Sequence, residues 1–185
     1  MRYALYLTLV FAAAVVFQTA LVPAFLPPVL RPDVCLLIGI AVLSFSTIEF
    51  GLSTIFLMGL SADLLGSGRF GLLTLCYLIS AGAILLAAWR DLSRGDFGVP
   101  WIACVFGTAL AHALYCLIGN LIGLGIPLPR ATSEVLSLAI AACVWGLPVI
   151  YVVSRGMFRL HVMLPDVQAR WTNEERMHGA RKRHA

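Results

Sequence analysis

The chain is poor in charge. Only 12% of its 185 residues are Asp, Glu, Lys or Arg, against roughly a quarter in ordinary soluble domains. No polar block is large enough to bury a core by itself, so a separate water-soluble domain is excluded. The sequence also lacks the patterns that announce chemistry. It has no H-E-x-x-H, no phosphate-binding P-loop and no G-x-S-x-G. The one glycine-rich piece, Gly66-Ser67-Gly68-Arg69-Phe70-Gly71, follows a helical pattern with no strand before it, so the context for dinucleotide binding is missing. Five cysteines are present (Cys35, Cys76, Cys104, Cys116, Cys143), but none forms a C-x-x-C pair and all lie in apolar runs. They read as small buried apolar residues, with no disulfide frame or metal site. The scarcity of charge within the apolar runs argues against a proton pump or ion channel. It leaves a carrier of apolar or small neutral molecules open. A non-catalytic protein with no cofactor and no bound metal is expected.

What the chain has is apolar length. It is 61% hydrophobic, with mean hydropathy +0.94, and several runs approach the roughly 20 residues that span a bilayer. The pattern predicts an all-α membrane protein, with a transmembrane domain over 1–155 and a basic cytoplasmic tail over 156–185. Six segments are expected, at about 3–22, 33–48, 51–65, 70–89, 99–121 and 131–153. The first is too long for the apolar core of a cleavable signal peptide, about 7–15 residues, and reads as a retained span. Four prolines at 23, 27, 28 and 32 make the next link stiff and extended. The second and third segments are short for a bilayer, with Glu49-Phe50-Gly51 as the expected turn between them. They read either as tilted helices or as a re-entrant pair. Pro148 is expected to kink the last segment.

Polar residues inside these runs are the candidates for function or for internal bonding. Gln18 and Thr19 end the first segment and are expected to hydrogen-bond within the bundle. Asp33 is placed to cap the second helix. Gly59 and Asp63 lie four apart on one helical face, where small residues beside a carboxylate suggest close packing. An acidic group there is a site candidate by default. The plainer roles for Asp63 are hydration near the membrane interface or pairing with Arg69 across the glycine turn. Thr108, His112 and Cys116 recur every four residues as a polar stripe. His112 could carry a proton, its ordinary pKa being roughly 6.5, though a buried hydrogen-bonding role is the simpler one. Glu134 is expected in the first turn of the last helix.

The net charge of +4 comes mostly from the tail, so it indicates no nucleic-acid partner. The tail is instead expected to be drawn to anionic membrane lipid. With six spans, ten Lys and Arg fall on the side of the two termini and three on the other. That places both termini in the cytoplasm. If 33–65 crossed only once, five spans would give the same score with the N-terminus outside.

One order of features is more specific. Gln18-Thr19 closes the first segment, Arg31-Pro32-Asp33 opens the second, and Gly51 and Gly59 precede Leu60-Ser61-Ala62-Asp63-Leu64-Leu65-Gly66-Ser67-Gly68-Arg69-Phe70-Gly71. This order resembles the bacterial rod shape-determining family MreD, in which the last stretch reads roughly Gly-Leu-x-x-Asp-Leu-x-x-Gly-x-x-x-Gly. The specific residues lie within 18–71; the remainder agrees in length and hydropathy. The resemblance implies a six-helix bundle similar to the substrate-binding S-components of energy-coupling-factor transporters, seated in the inner membrane. It implies a scaffold role in the elongation complex, with MreC, the MreB filament and the peptidoglycan synthase pair RodA and PBP2 as partners. No catalytic residue comes with it. Two functions follow as expectations. The first is a scaffold that binds a partner helix on the Gly59 face and the adjoining His112 stripe. The second is a small-molecule binding or transport subunit whose pocket is lined by Gln18, Asp63 and His112.

Overall fold

The computed structural model describes residues 2–27, 30–66, 69–92 and 97–159. All regular structure among them is helical. Helix α1 (Arg2–Val16) passes through a π-helical turn (Phe17–Leu21) into the short α2 (Val22–Phe25). There follow α3 (Val34–Phe45), α4 (Ile48–Leu65), α5 (Leu72–Leu92), α6 (Gly98–Leu121) and α7 (Leu128–Arg159). Helices α4, α6 and α7 are long and apolar enough to cross a membrane, while 11–25, 34–45 and 72–87 are shorter apolar stretches. Side chains such as Leu86, Leu121, Phe25 and Leu64 stand two-thirds or more exposed. An apolar outer surface of that kind would associate in water and is satisfied by lipid.

The fold is built around α3. Eleven of its 12 residues are buried, and it packs against α1, α4, α5, α6 and α7. A helix apolar on every side is one that its neighbours surround, and Val34-Cys35-Leu36-Leu37-Ile38-Gly39-Ile40-Ala41-Val42-Leu43 offers no polar face. At about 1.5 Å per residue α3 is only about 18 Å long.

The turn between α3 and α4 is Ser46-Thr47, two residues before the expected Glu49-Phe50-Gly51. Both residues are extended, with ψ of 179° at Ser46 and 151° at Thr47, and Ser46 Oγ donates to the Thr47 carbonyl at 3.2 Å. Short hydroxyl side chains that bond nearby backbone favour such breaks. Glu49 then falls in the first turn of α4, where a carboxylate complements the free amides. Gly51 lies inside the helix. A Cβ there would stand 2.7 Å from Leu43 Cα, and one at Gly39 would stand 2.8 Å from Ile55 Cγ1. These paired approaches make α3 and α4 an antiparallel pair, so a single long helix over 33–65 is excluded.

Three other boundaries moved. Pro23 does not end the first helix, because it sits in the first turn of α2, where its missing N–H is tolerated. The Val22 amide donates back to Phe17, and the wider π turn takes up the disturbance. Helix α7 begins at Leu128, with Pro129 in its first turn, so Glu134 lies one turn further in and pairs with Arg130 at 3.0 Å. The helix continues through Pro148 to Arg159, four residues beyond the expected end of the membrane domain. The rest of the basic tail, from 160 on, lies outside the described residues. Four cysteines are buried as expected, but Cys143 is exposed on α7.

Candidate functional site

The N-terminus of α3 gathers four elements. Asp33 is its N-cap, and Oδ1 accepts from the Leu36 amide at 3.2 Å. The next free amide, Val34, donates to Gln18 Oε1 at 2.9 Å, so the π turn of the first helix seats its glutamine directly on α3. Tyr77 of α5 donates its hydroxyl to Asp33 Oδ2. His112 of α6 places Nε2 at 3.4 Å from the same oxygen, with side-chain exposures of 16% and 8% for His112 and Asp33. The other ring nitrogen, Nδ1, lies 3.0 Å from the Thr108 carbonyl. Gln18, Asp33 and His112, spread over almost a hundred residues, are thus brought together.

They line a cavity of about 620 Å³. Arg31, Thr19, Tyr77, Glu134 and Ser137 share its wall. Arg31 reaches back to the chain end of α2, donating from Nε to the Leu26 carbonyl at 3.2 Å and from Nη2 to that of Pro23 at 3.4 Å. A second space of about 200 Å³ adjoins it, with Ala62, Gly66, Leu73, His112 and Glu134 common to both walls and Asp63, Tyr115 and Cys116 added. The larger cavity is within the range of small-molecule sites, about 300–1,000 Å³. Among the described residues no group of three His, Cys, Asp or Glu is placed to hold a metal ion.

Asp63 is used differently from the expectation. Its carboxylate accepts from the Leu73 amide at 3.1 Å, the Thr74 amide at 2.9 Å and the Thr74 hydroxyl. These amides belong to the first turn of α5. The residue that precedes this helix, Gly71, has φ of 86° and no side chain to cap it, so Asp63 caps α5 from the end of α4. No ion pair joins Asp63 to Arg69 among the described residues, and Arg69 is exposed. The backbone of the turn supplies donors at close range, and these three bonds leave the carboxylate no need of a cation.

Gly59 is likewise internal. A Cβ there would meet Thr74 Cα at 2.7 Å, so the small-residue face of α4 is filled by α5. On α6, Thr108, Ala111 and Cys116 are buried within the bundle. The close approach at Gly59 is thus taken by the chain's own α5.

Tyr77 was missed in the sequence. Thr74, Tyr77 and Ser80 recur every three residues on α5, all buried, a stripe of the kind that drew attention to Thr108 and His112. Ser80 Oγ donates to the Gly107 carbonyl at 2.8 Å, so that stripe ties α5 to α6 through Ser80, to the start of α3 through Tyr77 and to α4 through Thr74. Among the described residues no buried side-chain nitrogen or oxygen lacks a partner.

No family model, no curated protein and no solved structure matches the chain.

Proposed function

We propose that this protein is a non-catalytic, multi-pass scaffold subunit of the bacterial elongation complex, of the MreD type. The observation that carries this is how the residues of the resemblance are used. Asp33 caps α3, Asp63 caps α5, Gln18 holds the first helix to α3, and Gly51 and Gly59 admit neighbouring backbones. A motif whose two carboxylates cap helices and whose glycines admit crossings is what a structural subunit requires. In this reading the six apolar segments form a bundle similar to the S-components. It sits in the inner membrane with both termini cytoplasmic. MreC is the direct partner, with MreB, RodA and PBP2 in the larger complex. Partner helices would bind the exposed apolar side chains of α6 and α7, such as Ile102, Phe106, Leu136 and Val144. The test is depletion in the native host, followed by microscopy. Rods that round up, and return when the gene is restored, support the proposal. Rods that persist overturn it.

The polar cavity favours a second reading, a small-molecule binding or transport subunit. Its wall contains Gln18 and His112 as expected, with Asp33 the principal carboxylate where Asp63 was expected. Native mass spectrometry of the purified protein distinguishes the two. A retained small molecule, lost on His112→Leu, would favour the binding subunit.

A further inference from the structure

The Thr108 carbonyl can only accept, so the His112 ring nitrogen 3.0 Å from it, Nδ1, must carry hydrogen. In a neutral imidazole the other nitrogen then has only a lone pair. That nitrogen, Nε2, faces Asp33 Oδ2 at 3.4 Å, and an ionised carboxylate also only accepts. Two acceptors 3.4 Å apart on side chains only 16% and 8% exposed are unfavourable. One further proton between them removes the conflict, either as imidazolium with carboxylate or as imidazole with carboxylic acid.

We infer that Asp33 and His112 form a proton-binding site in the wall of the cavity, holding one proton between Oδ2 and Nε2. The site is built as such a site should be. The Tyr77 hydroxyl and the Leu36 amide both donate to Asp33, fixing the carboxylate's position. The Thr108 carbonyl fixes the tautomer of the ring, the usual means by which a histidine's second nitrogen is assigned its role. With the proton in place the pair is neutral as a unit, which suits an apolar bundle far better than a bare carboxylate. The cavity gives the proton a route in and out. The other ionisable groups nearby are accounted for. Arg31 donates to two backbone carbonyls, Glu134 pairs with Arg130, Asp63 is held by the amides of α5, and Cys35 on α3 lines the same space. None of these is the partner of Nε2.

The site has a mechanical consequence. The Gln18 to Val34 and Leu36 to Asp33 bonds do not depend on the proton. The contact of α6 with the start of α3 does. Losing the proton leaves two lone pairs in opposition and weakens this one contact, while α6 stays packed on α3 at Gly107 and Ile40 and the first helix and α3 stay joined.

Solid-state nitrogen NMR tests this on the full-length protein in lipid bilayers. His161, His178 and His184 are replaced by Gln, so that His112 is the single histidine. The expected spectrum has Nδ1 protonated and Nε2 either protonated or shifted by a strong hydrogen bond. A neutral ring protonated on Nε2 with Nδ1 bare overturns the proposal. So does a free, unbonded Nε2. On raising the pH, the Nε2 signal and the Tyr77 ring carbon should move with a common midpoint, because both groups bond the same oxygen. A His112 transition that leaves Tyr77 unmoved overturns the shared site. Asp33→Asn keeps a capping oxygen and should abolish the common transition; its persistence in this variant would assign the proton elsewhere.

Discussion

A carboxylate in an apolar helix must be read by its partners, and Asp63 shows how far partners can differ from the nearest opposite charge. Arg69 lies six residues on, yet the carboxylate turns to the first turn of α5 and takes two amides and a hydroxyl. Amides at a helix start are fixed donors with a favourable dipole, whereas a long exposed arginine must be immobilised to form a bridge of little worth. Asp63→Ala should therefore lower stability by about 1–3 kcal/mol, the cost of leaving buried amides unmade. Arg69→Ala should change it by less than about 0.5 kcal/mol. Thermal unfolding in detergent measures both. Equal losses in the two variants would restore the salt-bridge reading.

Glycines on the helices act at the scale of the element. Gly59 and Gly51 sit where a Cβ would strike the backbone of a neighbouring helix, α5 and α3 respectively, and backbone cannot swing aside as a side chain can. Gly59→Leu should cost about 1–3 kcal/mol or more through overpacking and should reduce the yield of folded protein. Gly82, also within a helix, has open space where its Cβ would be. Gly82→Ala should be neutral, or stabilise by about 0.5–1 kcal/mol through helix propensity. Comparing their melting temperatures checks the pair, and equal behaviour would refute the close-crossing account. At the other end of α6, the Leu124 amide bonds the Gly119 carbonyl and the Gly123 amide bonds that of Asn120, with φ of 84° at Gly123. This is the Schellman closure of a helix. Asn120 then clamps Ile126 with bonds of 2.7 and 3.0 Å. Gly123→Ala should loosen this turn, seen as faster proteolysis between α6 and α7.

At the scale of the molecule, α3 is a central post with the other helices around it. Its neighbours present polar atoms to its N-terminus and apolar ones along its length. Among the described residues the core includes Met157 and Phe158; removing everything after Arg159 should leave insertion and melting temperature unchanged if the basic tail is peripheral. A chain cut there that fails to insert would show the tail to be part of the fold. Reporter fusions at the two ends test the proposed orientation, with both expected on the cytoplasmic side.

Much of this was legible in the chain itself. Apolar runs and their interruptions set the helices to within a few residues, since burial of backbone polar groups in lipid demands helix wherever the chain is apolar. Asp33 as a cap followed from its place before an apolar run, and a packing role for Gly59 followed from its spacing to Asp63. Other features depend on separations that a local pattern does not contain. That α3 would be enclosed, that Gly59 would meet α5 in place of a partner, and that Asp63 would cap a helix beginning nine residues later are decided by how helices cross. The meeting of Gln18, Asp33, Tyr77 and His112 is of the same kind. Local sequence determines which residues are helical and which groups need partners; only the tertiary packing decides which partners they find, because those bonds close across helices distant in the chain.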